Sequence, residues 1–153
     1  MKLIVFITIF LIINFGALAL GIIFMNNGPN TAWYLQLNKA PWTPPGWVFG
    51  ATWTFIMVCF SIYMAFLYNV KIKDKVVTFF IIQFALNVSW NYIFFNQHLI
   101  GFGLLVIILL TILIAVFLFT YKNDMKSKSL LIVPYFIWLC IATSLNAYIF
   151  LNN

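Results

Sequence analysis

Trp53, Asn87, Trp90, Trp138, Ala142, Leu145 and Asn146 combine indole and carboxamide side chains with small and apolar ones at helical intervals. On a helix, Trp138, Ala142, Leu145 and Asn146 fall on one face. Gln83, Asn87 and Asn91 recur every fourth position with Trp90 beside them, and Gly50, Trp53 and Met57 make a third face. Indoles offer flat stacking surfaces, and carboxamides add a few uncharged hydrogen bonds. Brought together, these faces would form an aromatic cavity suited to a large, flat, hydrophobic molecule rather than to an ion or a sugar. Ala142, small between Trp138 and Asn146, leaves room for such a ligand. Taken singly, Asn87 and Asn146 could be interhelical glue, worth about 0.6 kcal/mol per contact in a membrane. Their combination with three tryptophans favours a pocket.

Acid–base chemistry has almost nothing to work with. There is one imidazole, His98, two acids, Asp74 and Asp124, and no arginine. His98 sits in a short turn without a second histidine or carboxylate, so it reads as a solvated turn residue before a haem ligand. Asp74 and Asp124 lie among lysines and read as loop charges. Cys59 and Cys140 are isolated in apolar runs and read as packing residues, with no metal site expected.

The elements that must position these side chains follow from composition. Of 153 residues, 65% are hydrophobic, 20% aromatic and only 7% charged. A soluble domain needs a charged shell that eight lysines and two acids cannot supply. A bilayer core of about 30 Å takes about 20 helical residues. Apolar runs at 3–25, 47–68, 76–95, 99–121 and 130–151 meet that length, which predicts an all-α, five-transmembrane-helix bundle over 1–153. The first run could instead be a secretory signal ending at Ala17-Leu18-Ala19. Its apolar stretch continues to Met25, so a retained helix is expected. Pro134 is expected to tilt or kink the start of the last span.

Lysines orient the bundle. With five spans, Lys2, Lys71, Lys73, Lys75, Lys122, Lys126 and Lys128 share one side, and Lys39 alone lies on the other. The positive-inside rule then puts the N-terminus inside and the C-terminus outside. Nucleic-acid binding is the poorer reading, because the lysines flank spans and no arginine forks are present.

The loop at 26–46 is too long for a connector in so compact a chain. Trp33, Tyr34, Leu35, Leu37 and Trp42 would strand apolar surface in water if it were disordered, so it should fold back over the bundle as a lid. Thr43 is expected to cap a helix starting at Pro44, with Pro41 and Pro45 stiffening the approach.

Trp33-Tyr34-x-x-Leu37-x-Lys39-x-Pro41-Trp42-x-Pro44-Pro45, followed by Trp47-Val48-Phe49 and Trp53, closely resembles the signature of the translocator protein family. Its bacterial members are called tryptophan-rich sensory proteins, or TspO. Two further blocks match in order: Ala85-Leu86-Asn87-x-x-Trp90 with Phe94-Phe95, and Pro134-Tyr135-x-x-Trp138 with Ala142-Thr143 and Leu145-Asn146. The resemblance implies a five-helix bundle, commonly a homodimer, in a bacterial cell membrane. It implies tetrapyrrole ligands, protoporphyrin IX or haem, with no cofactor required, and in some members sterols. The animal sterol pattern fails here, since Ala147 follows Asn146 and no base follows Tyr148. Leu118, Tyr121 and Lys126 fit only the generic spacing.

Three functions compete on this reading. The first is tetrapyrrole binding for sensing or transport, with Trp33, Tyr34, Trp42, Pro44, Pro45, Trp53, Asn87, Trp90, Trp138, Ala142, Leu145 and Asn146 as the binding set. The second is light- and oxygen-dependent porphyrin breakdown through Trp53 and Trp138, as the resemblance implies for some relatives. The third is a sterol- or lipid-binding protein, or a passive subunit of a larger membrane complex.

Overall fold

A computed structural model describes residues 2–71 and 73–153, without the side chain of Lys73. Its helices are α1 (Lys2–Met25), α2 (Ala32–Gln36), α3 (Gly46–Val70), α4 (Lys73–Asn91), α5 (Ile100–Met125) and α6 (Val133–Asn152). No strand occurs among the described residues. Five of the helices are long and apolar enough to cross a membrane. α2 is the exception and belongs to the lid.

The spanning helices are apolar on every side, as expected where lipid replaces water. What separates inside from outside is polarity rather than hydrophobicity. Ile12, Ile23, Phe102, Ile112 and Phe119 face outward, whereas Asn14, Ser61, Gln83, Asn87 and Asn146 are all buried. A polar side chain in a bilayer finds partners only inside the bundle. Thus Asn14 Nδ2 donates to Ser61 Oγ at 2.8 Å, and Gln83 Nε2 donates to the Tyr135 hydroxyl at 2.8 Å.

α1 packs on α3 and α4, and α5 packs on α4 and α6. At the centre, the fully buried Phe60 ring meets Phe117 and Tyr135 edge to face, at 6.1 and 5.2 Å. The two ends differ in chemistry. At the lysine end, Lys71 pairs with Asp124 at 2.8 Å, and the Lys128 ammonium lies 4.0 Å above the Phe66 ring. The lid covers the other end.

Three boundaries differ from the sequence expectation. α5 continues to Met125 and passes into a 3-10 segment, Lys126–Leu131, because polar residues end an apolar span without breaking the helix that carries it. Pro134 does not kink α6: it falls in the first turn, where its missing N–H is not needed. Thr43 does not cap α3, which begins at Gly46 after Pro45. Pro44 precedes a proline, and such a residue is held out of helical geometry. The Thr43 hydroxyl donates instead to Ala40 O at 2.7 Å, closing a turn.

Candidate ligand-binding site

The lid is built by local capping. Asn26 and Asn27 take left-handed backbone angles (φ 47° and 63°) that turn the chain back after α1, a conformation asparagine tolerates. Thr31 accepts from Tyr34 N at 3.3 Å, starting α2. Lys39 closes it: its ammonium donates to Tyr34 O at 2.9 Å and Leu35 O at 3.2 Å. The one lysine at this end is therefore held by helix carbonyls. Asn38 ties the lid to the end of α6, its N–H donating to Asn153 Oδ1 at 2.9 Å and its Nδ2 to Asn152 O at 3.0 Å. Gly28 lets the lid sit directly on Phe95, since a Cβ there would come within 2.6 Å of the ring.

Beneath the lid is a chain of rings. A π turn, Tyr92–Asn96, follows α4 at the end of the third apolar run and buries the successive residues Phe94 and Phe95 together. Trp33 lies edge-on to Phe94 at 5.7 Å, and Tyr34 contacts both Phe94 and Phe95. Burial raises the Tyr34 phenol above its ordinary pKa, so it stays a neutral donor. Trp90 stacks on Phe94 at 5.6 Å and its Nε1 donates to Asn146 Oδ1 at 3.4 Å. Asn146 Nδ2 in turn donates to Ala142 O at 3.0 Å.

A second aromatic group lies along the same face of α6. Trp138 meets Phe49 edge to face at 5.3 Å, and Trp53 meets Tyr135 at 5.9 Å. Ala142, Leu145 and Asn146 continue that face and are all buried. The Trp138 indole N–H is buried with no acceptor among the described residues. A buried donor left unpaired costs about 1–3 kcal/mol. Asn87 is buried, and its side chain makes no hydrogen bond among the described residues.

The predicted set thus divides. Trp33, Tyr34, Trp90, Ala142 and Asn146 form one connected group; Trp138, Leu145 and Asn87 are buried within the bundle; and Trp53 reaches the core through Tyr135. Gln83, Asn87 and Asn91 do not share a partner. Each step of four residues rotates the direction by about 40°, so Gln83 reaches Tyr135 on α6 while Asn91 packs against Gly21 on α1. Trp42 stands on the outer flank of α6, donating from Nε1 to Ser144 Oγ at 3.2 Å, with Tyr148 edge-on at 5.5 Å. Pro44 and Pro45 form the extended approach to α3. His98 is an exposed turn residue, as expected; it also holds a left-handed angle (φ 57°) and stacks on Trp33 at 4.0 Å. Phe49 and Tyr135 were missed as site residues. Both lay within the motif blocks, Phe49 one turn before Trp53 and Tyr135 one turn before Trp138.

Residues 6–151 match the model of the TspO/MBR family. The chain belongs to this family. Among its relatives, it is 33% identical over 122 residues to the tryptophan-rich protein TspO of Chlorobaculum tepidum, covering 77% of each chain. It is 31% identical over 119 residues to protein CrtK of Rhodobacter capsulatus, covering 75% of this chain and 74% of that one. It is 27% identical over 132 residues to the human translocator protein, covering 83% of this chain and 78% of that one. The TspO/MBR match spans the lid, the π turn and α6 together, so the chain is an integral membrane protein of that family. The residues of the generic sterol spacing do not share one exposed helix face. Tyr121 is buried in the bundle, and Lys126 lies beyond the end of α5.

Proposed function

We propose that this TspO/MBR protein binds a tetrapyrrole, protoporphyrin IX or haem, between the lid and the inner face of α6, for sensing or transport. The unpartnered Trp138 indole N–H, buried beside Phe49 and on the same face as Ala142, is the observation that carries the reading. A porphyrin carboxylate or ring nitrogen would supply the missing acceptor, and its macrocycle would exchange edge contacts for face stacking. The near absence of charge among these residues suits a hydrophobic macrocycle. Trp33 and Tyr34 would close over it.

The lysine distribution supports an N-terminus and lysine end inside a bacterial cell membrane, with the lid and C-terminus outside. The half-exposed or exposed Ser89 and Ala85 on α4 offer a close-approach surface for a homodimer. Titration of the purified protein with protoporphyrin IX in the dark should quench tryptophan emission saturably, at one porphyrin per chain. Linear quenching that detergent alone reproduces would overturn the proposal. The contact between Trp53 and Tyr135 at 5.9 Å favours a second reading, photo-oxidative breakdown. Illuminating the same complex in oxygen and identifying products separates the two, since a pure binder bleaches porphyrin at the protein-free rate.

A further inference from the structure

The lysine end of the bundle carries a groove that the site beneath the lid does not use. It lies between the first halves of α1 and α4 and encloses about 450 Å³. Phe10 and Phe80, both buried, form its floor and meet edge to face at 5.0 Å. Tyr68 of α3 closes one side against Phe6 at 4.9 Å. Ile9 and Ile81 stand exposed on its rims, at 44% and 59%. The volume falls in the range of about 300–1,000 Å³ typical of ligand sites.

Helix register places charge at its mouth. Lys2 precedes Phe6 by one turn and so lies on the groove face of α1. Lys71 ends α3 three residues beyond Tyr68, with its ammonium shared by Asp124 at 2.8 Å. Lys2 has no carboxylate within ion-pair distance among the described residues. Asp74, the remaining acid, sits in the first turn of α4, where the helix N-terminus favours it. The end as a whole keeps a large excess of lysine over acid.

We propose that this groove binds an anionic diacyl phospholipid, with one acyl chain on Phe10 and Phe80 and the phosphate at Lys2. An apolar slot opening to lipid beneath an unpaired cation matches a molecule with an anionic head and a long tail. A second copy of the chain fits this lysine end less well than it fits Ala85 and Ser89, one and two turns further along α4. A two-fold pairing of this face would set the two Lys2-bearing helix starts against each other.

Native mass spectrometry of the full chain from detergent, titrated with phosphatidylglycerol or phosphatidylcholine, tests this. One phosphatidylglycerol should bind in preference to phosphatidylcholine, and Lys2→Gln should weaken it about fivefold, the effect of one surface lysine. Lys75→Gln, two residues before Val77 and so on the far face of α4, should change it much less. Ile9→Trp, which fills the rim, should abolish the bound lipid while leaving the circular dichroism spectrum intact. Equal binding of the two lipids, equal losses in the two lysine variants, or a dimer that takes up no lipid would each overturn the proposal.

Discussion

Replacing Trp53 and Trp138 together by Phe should raise the dissociation constant for protoporphyrin IX about thirtyfold, with little change in melting temperature. The two halves of that expectation have separate causes. Trp138→Phe removes a buried donor that has no acceptor among the described residues. Deleting an unsatisfied group relieves a penalty that offsets the packing lost with the smaller ring, so the net change in stability should be small. The bound state loses more. Each smaller ring gives up stacking worth about 0.5–1.5 kcal/mol, and the lost indole donor adds about 0.5–1.5 kcal/mol. A combined loss of about 2 kcal/mol is about thirtyfold in affinity. Porphyrin fluorescence titration reads the affinity, independently of the tryptophans removed, and a thermal melt reads the fold. An unchanged dissociation constant would remove these residues from the site.

Trp33→Ala should speed porphyrin release about tenfold. Trp33 holds the lid by stacking on His98 at 4.0 Å and by its edge contact with Phe94 at 5.7 Å. Losing two such ring contacts removes about 1.4 kcal/mol from the closed state, which is about tenfold in an opening equilibrium. The Asn38 bonds to the end of α6 remain, so the lid should open more often without detaching. Trp42→Ala is the matched control, because Trp42 lies on the outer flank of α6 and is 54% exposed. A stopped-flow chase with excess unlabelled acceptor micelles gives both rates. Equal acceleration in the two variants would mean that the lid acts by general hydrophobicity and not as a gate.

Much of the architecture was legible because a bilayer imposes a simple demand. A lipid-facing apolar run long enough to span, without the alternation of a closed barrel, must be helical. The face of α6 was equally legible, since Trp138, Ala142, Leu145 and Asn146 follow helical spacing and are all buried. The start of α3 could have been read correctly from Pro44-Pro45 alone, by giving the restriction before proline precedence over the Thr43 capping signal. Other features depend on tertiary placement. The stacking of His98 on Trp33 joins a turn to the lid across distant sequence, and the π turn at Tyr92–Asn96 has no motif that marks it. The outward position of Trp42 follows from its bond to Ser144, on a different side of α6 from Trp138. A tryptophan in a lid motif does not reveal which way the lid presents it.

In the proposed binding mode, the Trp138 indole N–H awaits an acceptor that the porphyrin brings. Indole ¹H–¹⁵N correlation spectra, recorded with and without protoporphyrin IX, read that group directly. The Trp138 resonance should move downfield at one equivalent, as a new hydrogen bond forms, while the Trp42 and Trp47 signals stay in place. A Trp138 signal that does not move while those of Trp42 and Trp47 shift would place the porphyrin on the surface and contradict the account.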